Sequence, residues 1–348
     1  MPVYSVQTEM TVMSAHLVPA PEAPVRPARL VLIGGSGQVG RLLARHFYTL
    51  GSDVCVVART TYSAPWRLAA WDARHLGPWT KQLEGADVVI NLAGRSVNCR
   101  YHRSNRREIL DSRVGPTGLL GQAIGSLRNP PRLWLNASTA TIYRHSLERE
   151  MDEAGESGGT EKGVPDEWRF SMDVAKRWEE AFFSAETPST RKVALRSAMI
   201  MSPDRGGVFD TLSRLVRLRL GGKAGSGRQY VSWIHEQDFA RAVDFVIADA
   251  TIAGVLNVAS PNPIPNSEFM QKLRQAWGIA GGLSATERML EVGAFFLRTE
   301  TELILKSRRV VPGRLLDHGF RFDFPYWAEA SKDLVSRWRL GNGKGPKR

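Results

Sequence analysis

From residue 28 onward the chain alternates short apolar runs with longer stretches of helical periodicity. Arg29–Ile33 is an apolar run ending in glycines, Val39–Leu50 carries apolar residues at helical spacing and stops at Gly51, and Asp53–Ala58 is a second, β-branched run. Strand, glycine loop, helix, glycine stop and strand make a βαβ unit of about 30 residues. The alternation predicts strands at Asp87–Leu92, Arg132–Ala137 (entered through Pro130 and Pro131) and Lys192–Arg196. It predicts helices at Asn105–Leu127, Phe170–Ser184 and Phe239–Ala248, the last with Asp238 marking and capping its start. Gly155–Asp166, rich in glycine and charge, reads as a surface loop. Strands alternating with helices imply a parallel sheet covered on both faces. The expected fold is therefore α/β, a Rossmann-type doubly wound parallel sheet.

From Asn266 the pattern turns mainly helical, which predicts a smaller C-terminal lobe. The expected division is a Rossmann domain over 28–200, its sheet continued by 231–260, with 201–230 and 261–340 forming the substrate-side lobe. Residues 1–27 carry Pro19, Pro21, Pro24 and Pro27 without periodicity and read as a flexible leader. Residues 341–348 read as a frayed tail, and no internal repeat is present.

Composition changes this picture little. Of 348 residues 43% are hydrophobic and 24% charged, which suits a globular chain with a sizeable core. No apolar run approaches the roughly 18–20 residues that cross a bilayer, and no secretory pattern opens the chain, so no membrane partner is expected. The two cysteines, Cys55 and Cys99, make neither a disulfide framework nor a metal motif; no metal is expected, and the cytoplasm is the expected location. The net charge of +12 is scattered, with no basic block and no aromatic-interleaved stripe. It predicts no nucleic-acid partner, although a positive field favours an anionic cofactor or substrate.

The chemistry starts at Gly34-Gly35-Ser36-Gly37-Gln38-Val39-Gly40, which contains Gly35-x-Gly37-x-x-Gly40. The first glycines allow a tight turn off the strand, the next lets backbone N–H groups approach a pyrophosphate, and the last lets helix and sheet pack closely. The pyrophosphate then lies at the positive end of the helix. Strand before, helix after and second strand all fit a dinucleotide site. NAD sites place an acidic residue about 20 residues on, at the end of the second strand, to hold the ribose 2′-hydroxyl. Here Ala58 is followed by Arg59, whose guanidinium can pair with a 2′-phosphate. The expected cofactor is NADP(H).

Further motifs extend the pattern: Asn91-Leu92-Ala93-Gly94, Ile109-Leu110-Asp111-Ser112-Arg113, Ala137-Ser138-Thr139 through Tyr143, Gly225 to Gln229 running into Ser232-Trp233-Ile234-His235, Asn266 to Phe269, and Ser307 to Pro312. With these the chain resembles the atypical extended short-chain dehydrogenases/reductases, the NAD(P)-dependent epimerase family with a characteristic C-terminal extension (cell-division-inhibitor-like), over Leu30 to about Leu334. The resemblance implies that Ala58 and Arg59 contact the adenosine phosphate end, and that Leu92, Ala93 and Gly94 line the ribose and pyrophosphate. It further implies that Glu108 and Arg113 face the cofactor and that Ile200 lies beside the nicotinamide. Two departures stand out: Ser36-Gly37-Gln38-Val39 replaces the relatives' Thr-Gly-Phe-Ile, and Arg95 stands where many carry an acidic residue.

Short-chain dehydrogenases ordinarily use Tyr-x-x-x-Lys, which puts an acid and its activating cation on one helix face. None of the seven tyrosines has a lysine four residues later. Phe170 or Ser171 stands near the tyrosine position and Val174 or Ala175 near the lysine position. The candidate catalytic residues are Ser138, where such folds place a carbonyl-polarising hydroxyl, and Tyr143, which matches a tyrosine of the family. Lys176 reaches the site only if the helix is turned by one residue. Arg228 and Gln229 fall where extended members touch substrate, and His235 with Asp238 reads as structural. Two readings follow: an NADP-dependent oxidoreductase or epimerase acting on a small carbonyl or sugar-like substrate, or a non-catalytic NADP(H)-binding regulatory protein.

Overall fold

A computed structural model describes residues 27–286 and 302–342, together with Met289. The expected leader and tail fall almost wholly outside these residues. Seven strands, β1 (Arg29–Ile33), β2 (Asp53–Ala58), β3 (Arg67–Ala70), β4 (Val88–Asn91), β5 (Leu133–Thr139), β6 (Arg191–Ser197) and β10 (Gly254–Val258), form one sheet. Its order is β10-β6-β5-β4-β1-β2-β3, and every pairing is parallel. The order reverses at β1, between β4 and β2, which opens a crevice at the carboxyl ends of β1 and β4.

Both faces of the sheet are covered, as the alternation of side chains along a strand demands. Leu30 and Leu32 of β1 point to one side with Val54 and Val56, packing with Leu43 and Phe47 of α1 (Gln38–Thr49) and Val243 of a later helix. Val31 and Ile33 point to the other side with Cys55 and Val57, meeting Leu120 and Ile124 of α2 (Arg103–Gly125) and Phe182 of α3 (Asp166–Phe183). The helices of both layers are long enough to bury an apolar stripe along the sheet.

A smaller third core lies beside the sheet. It joins β7 (Met199–Met201), α4 (Val208–Arg217), β8 (Tyr230–Val231), β9 (Trp233–His235) and α6 (Asn266–Trp277) to a later helix. The stacked rings of Phe269 and Trp327, 4.1 Å apart, sit at its centre. β7 pairs with β9, and β8 with β11 (Ile264–Pro265). α5 (Glu236–Ala248) returns the chain to the main sheet. It starts three residues earlier than the apolar pattern indicated because His235, not Asp238, caps it: His235 Nδ1 accepts from Gln237 N at 3.2 Å. Asp238 instead accepts from the backbone N–H groups of Asp323 and Phe324.

The C-terminal part contributes α7 (Glu302–Leu305), α8 (Gly313–Asp317) and α9 (Trp327–Asn342). Between α7 and α8 an extended strap runs from the turn after β5 to β8. Met151 N donates to Arg309 O at 2.8 Å and Arg308 N to Tyr230 O at 2.9 Å, while Ser307 Oγ donates to Ser146 O at 2.5 Å.

Candidate functional site

The glycine loop turns off β1 with Gly34 at φ +71°, a conformation that favours glycine. A Cβ there would stand 2.7 Å from Ala93 Cα. Gly34 thus lets the loop after β4 close onto the loop after β1. That second loop is tied by Asn91, fully buried, whose Oδ1 accepts from Ala93 N at 3.1 Å and whose Nδ2 donates to Asn136 and Thr117. Gly40 has no room for a Cβ against Gly35, so helix and turn touch.

Gly37 differs: a Cβ there would meet nothing within 4 Å. It is the N-cap residue of α1, without a side-chain cap and without an acidic residue in the first turn. Ser36, Gln38 and Val39 flank it, and Gln38 Nε2 is buried without a hydrogen-bond partner, against Gly207. Uncapped N–H groups at a positive helix end, with a spare amide donor beside them, fit a pyrophosphate. Arg59 lies exposed past Ala58 at the end of β2, with neither hydrogen bond nor ion pair among the described residues. Arg41 sits nearby, its Nε donating to Ser36 O at 3.0 Å and its guanidinium 4.7 Å from the Tyr62 ring centre.

Leu92, Ala93 and Gly94 follow β4 at the crevice, and Gly94 lies over Arg113. Arg113 donates to the carbonyls of Ile109 and Arg95 and lies 5.2 Å from the Trp178 ring centre; burial pulls its pKa down to about 10. Glu108 is turned outward and pairs with Arg95, the residue that departs from the relatives' acid. Ile200 lies in β7, opposite Ile234 and partly buried against the core.

Beyond Gly94 a cavity of about 120 Å³ opens at the carboxyl edge of the sheet. Its polar wall is Tyr101, Arg113, Thr139, Thr141, Ser171 and Glu302; apolar side chains including Phe170 and Trp178 complete it. Phe170 and Ser171, and one helical turn on Val174 and Ala175, all line it, so the positions that would hold a tyrosine and a lysine carry neither a phenol nor an amine. Thr139 Oγ1 accepts from Thr141 N at 3.1 Å, which leaves its O–H to donate into the cavity. Ser171 Oγ donates to Glu302 Oε2 at 2.7 Å, and Glu302, 1% exposed, pairs with Arg308 at 2.9 Å. Burial pushes the Tyr101 hydroxyl up to about 12.

Ser138 and Tyr143 have another task. Ser138 Oγ donates to Glu179 Oε1 at 2.6 Å; Glu179 takes both Nε and Nη2 of Arg196, and Arg196 Nη1 donates to Tyr143 Oη at 2.9 Å. Tyr143 Oη in turn donates to Asn257 Oδ1 at 2.8 Å. Burial works against the charge on Arg196, yet the paired Glu179 raises its pKa. This buried chain ties β5, α3, β6 and β10 together, and neither Ser138 nor Tyr143 is among the residues lining the cavity.

Gln229 is also buried, its Nε2 donating to Ala224 O at 2.9 Å and to Ile304 O, so it holds α7 in place. Arg228 is exposed on the loop. Lys176 lines a second, open cavity of about 410 Å³ that shares Phe170 with the first. His235 is fully buried, stacked on Phe324 and bonded to Asp333 at 3.0 Å. Among the described residues no group of His, Cys, Asp or Glu could hold a metal ion, and no helix is long and apolar enough to cross a membrane. The polar residues of the cavity wall that sequence reasoning did not single out are Tyr101, Thr139, Thr141 and Glu302. Only Thr139 left a signal, since neighbours on a strand face opposite sides.

Sheet order, glycine turn and crevice together define a dinucleotide-binding α/β protein of the Rossmann class. Residues 30–259 match the NAD dependent epimerase/dehydratase family, and 287–334 match a domain of unknown function, DUF1731. The chain belongs to the NAD-dependent epimerase/dehydratase family. It is 30% identical over 313 residues to the human epimerase family protein SDR39U1, covering 88% of this chain and all of that one, and 32% identical to the mouse protein over 314 residues, with the same coverage. Among solved structures, human SDR39U1 (isoform2) with NADPH superposes with a TM-score of 0.77 at 29% identity, covering 88% of this chain and 99% of that one. A nucleoside-diphosphate sugar epimerase from Corynebacterium glutamicum gives 0.69 at 26%, covering 92% of this chain and 62% of that one.

Proposed function

We propose that this chain is an NADPH-dependent oxidoreductase or epimerase of a small carbonyl or sugar-like substrate, working without the Tyr-x-x-x-Lys dyad. The observation that carries the reading is the open first turn of α1 set at the same sheet edge as a polar cavity, with Gly94 and Arg113 between them. The bound form of human SDR39U1, solved with NADPH, supports the choice of cofactor.

The pyrophosphate is held by the Gly34–Gly40 turn and by the Gln38 amide. Arg59, with Ala58 beneath it, takes the 2′-phosphate, and Leu92, Ala93 and Gly94 line the ribose. Arg113 faces the cofactor from below Gly94, Glu108 from its pair with Arg95, and Ile200 borders the nicotinamide. When bound, the nicotinamide supplies or takes hydride at the cavity mouth. Thr139 donates a hydrogen bond to the substrate oxygen there, the role that Ser138 cannot fill while bonded to Glu179. Arg228 lies where substrate enters. The partner is a small molecule rather than a nucleic acid or membrane, and the two free cysteines suit the cytoplasm.

The test is a fluorescence titration. NADPH is expected to bind at least about tenfold tighter than NADH, with the difference lost in Arg59→Ala. Equal affinities overturn the cofactor assignment. A second reading, a non-catalytic NADP(H)-binding regulatory protein, is favoured by the want of a tyrosine and a lysine at the dyad positions, where Phe170, Ser171, Val174 and Ala175 line the cavity. Tight NADPH binding without oxidation of the cofactor across aldehydes, ketones and nucleotide sugars would select it.

A further inference from the structure

Lys176 does not line the first cavity; it lines the second, of about 410 Å³, together with Arg106, Arg169 and Thr160. The two cavities share Phe170, which meets Tyr101 of the first edge-on at 5.2 Å and carries Arg106 of the second 5.0 Å from its ring centre. Ala175 and Lys176, successive residues of α3, thus serve one cavity each. The charges of the second cavity do not cancel. Asp166 pairs with Arg106 at 2.6 Å, and Asp173 pairs with Arg177, outside the wall, at 3.1 Å, so both acids are taken. Arg169 donates to a neutral carbonyl, Val164 O, at 3.3 Å. Lys176 is half-buried and has neither hydrogen bond nor ion pair among the described residues. A glycine keeps its ammonium open: residues 158 and 159 pack on Met172 of α3, and a Cβ on Gly159, itself at φ +105°, would stand 3.8 Å from Lys176 Nζ. An ammonium set in a concave wall without a counterion holds a positive potential there, and an anionic oxygen gains both the attraction and charge-assisted hydrogen bonds.

We propose that the second cavity is an anion subsite for the substrate: Lys176 and Arg169 hold a carboxylate or phosphate group at one end of a molecule whose carbonyl end lies in the first cavity, past Phe170. The inference rests on the oxidoreductase reading above for the fate of the carbonyl, and it narrows the substrate to carbonyl compounds that carry one anionic oxygen group. No bond is made or broken in the second cavity. Lys176 offers a compact charge with three donors and Arg169 a planar fork, two geometries that both suit such a group. Thr160 adds a hydroxyl to the same wall. Arg106 stays engaged with Asp166 and, through Nε, with Tyr101 O at 2.7 Å, so it shapes the site without being free to take the anion. The apolar ring of Phe170 suits the uncharged body of the ligand between its two ends. A charge held this far from the reacting carbon is bound alike before and during the reaction, so the subsite acts on KM and leaves kcat alone.

The experiment uses the full chain loaded with NADPH. Calorimetric titrations with 4-(hydroxymethyl)benzoate and with benzyl alcohol compare one ligand body with and without the anion, in complexes that cannot react. The benzoate is expected to bind at least about tenfold tighter, with the gap lost in Lys176→Met, narrowed in Arg169→Met and kept in Lys176→Arg. Lys162→Met, at an exposed lysine of the neighbouring loop, should leave the gap unchanged. In turnover, 4-carboxybenzaldehyde and 4-formylphenyl phosphate should both show a lower KM than benzaldehyde, and the smaller of the two KM values tells carboxylate from phosphate. Lys176→Met should raise both about tenfold, with kcat and the benzaldehyde KM unmoved. Equal binding of the benzoate and the alcohol, or a gap that survives Lys176→Met, overturns the subsite, and turnover of benzaldehyde by the same chain then leaves the oxidoreductase reading standing. A gap that Lys176→Met removes, in a chain that oxidises no NADPH with any of the three aldehydes, keeps the subsite and overturns the oxidoreductase reading.

Discussion

Gly34 and Ala93 meet across the carboxyl edge of the sheet so closely that a single methyl on Gly34 would stand 2.7 Å from Ala93 Cα. Two loops that follow different strands are thereby held as one surface, on which the proposed dinucleotide would lie. Gly34→Ala adds the methyl and also forces alanine to φ +71°. The expected loss is about 2–3 kcal/mol of stability, read by urea denaturation, together with weakened NADPH binding. A variant as stable as the wild type would mean that the loops move apart at little cost.

Ser138 and Thr139 are neighbours on β5 with opposite duties. Ser138→Ala removes one hydrogen bond from Glu179, which keeps Arg196, so the expected cost is about 1 kcal/mol with turnover nearly intact. Thr139→Val keeps shape and removes the hydroxyl that lines the cavity, so kcat should drop about 100-fold, with about 1 kcal/mol of stability lost because Thr141 N loses its acceptor. Measuring both variants side by side by NADPH absorbance and calorimetry checks the assignment, and a reversed pattern would return Ser138 to the catalytic role.

Lys306 is 1% exposed, and burial, aided by Arg308, brings its ammonium down from 10.5 to about 7. Between about pH 7 and 10.5 the unfolded chain binds a proton at this position that the folded chain does not. Stability from this residue therefore rises with pH across that window. Lys306→Met removes the buried charge at the cost of one hydrogen bond to Thr141 O. Its thermal midpoint should lie a few degrees above wild type at pH 7, and the gap should close toward pH 10. A lower midpoint at pH 7 would mean that the ammonium is held by more than that carbonyl.

His235 titrates in the opposite range. Burial lowers its pKa from 6.5 to about 4 despite the hydrogen bond to Asp333. The unfolded histidine binds a proton as pH falls through 6.5, whereas the folded one resists until about 4, so stability is lost as pH falls between these values. Protonation at Nδ1 also ends the cap on Gln237 N. Urea midpoints from pH 7 to pH 4 should fall in wild type and fall less in His235→Asn, which keeps a capping oxygen without the titration.

The fold was legible where local chemistry and tertiary packing agree. The βαβ unit at the glycine loop is read from glycines and apolar runs because strands buried on both faces must be apolar throughout. β3 escaped notice because Arg67–Ala70 is a half-exposed edge strand of small residues, which needs no apolar run. The start of α5 was misplaced because His235 and Asp238 can each cap, and only the position of Asp323 and Phe324 decides between them. The cofactor crevice is local in sequence and shows itself there. The cavity is not: Tyr101, Thr139, Ser171 and Glu302 come together only through the sheet order and the strap. Gln229 falls where extended members touch substrate, a position set by the resemblance alone, whereas its burial and its bond to Ala224 O depend on tertiary packing that the sequence does not display.

Thr141 and Lys306 touch across 165 positions of the chain. A polypeptide emerges from the ribosome in sequence order and folds as it emerges. Every strand of the large sheet, and every segment proposed to grip the dinucleotide, is therefore out before the strap exists. The newborn chain is in a position to take up its nucleotide while the chamber beside it still stands open, and the wall that Glu302 contributes is added only with the last stretch.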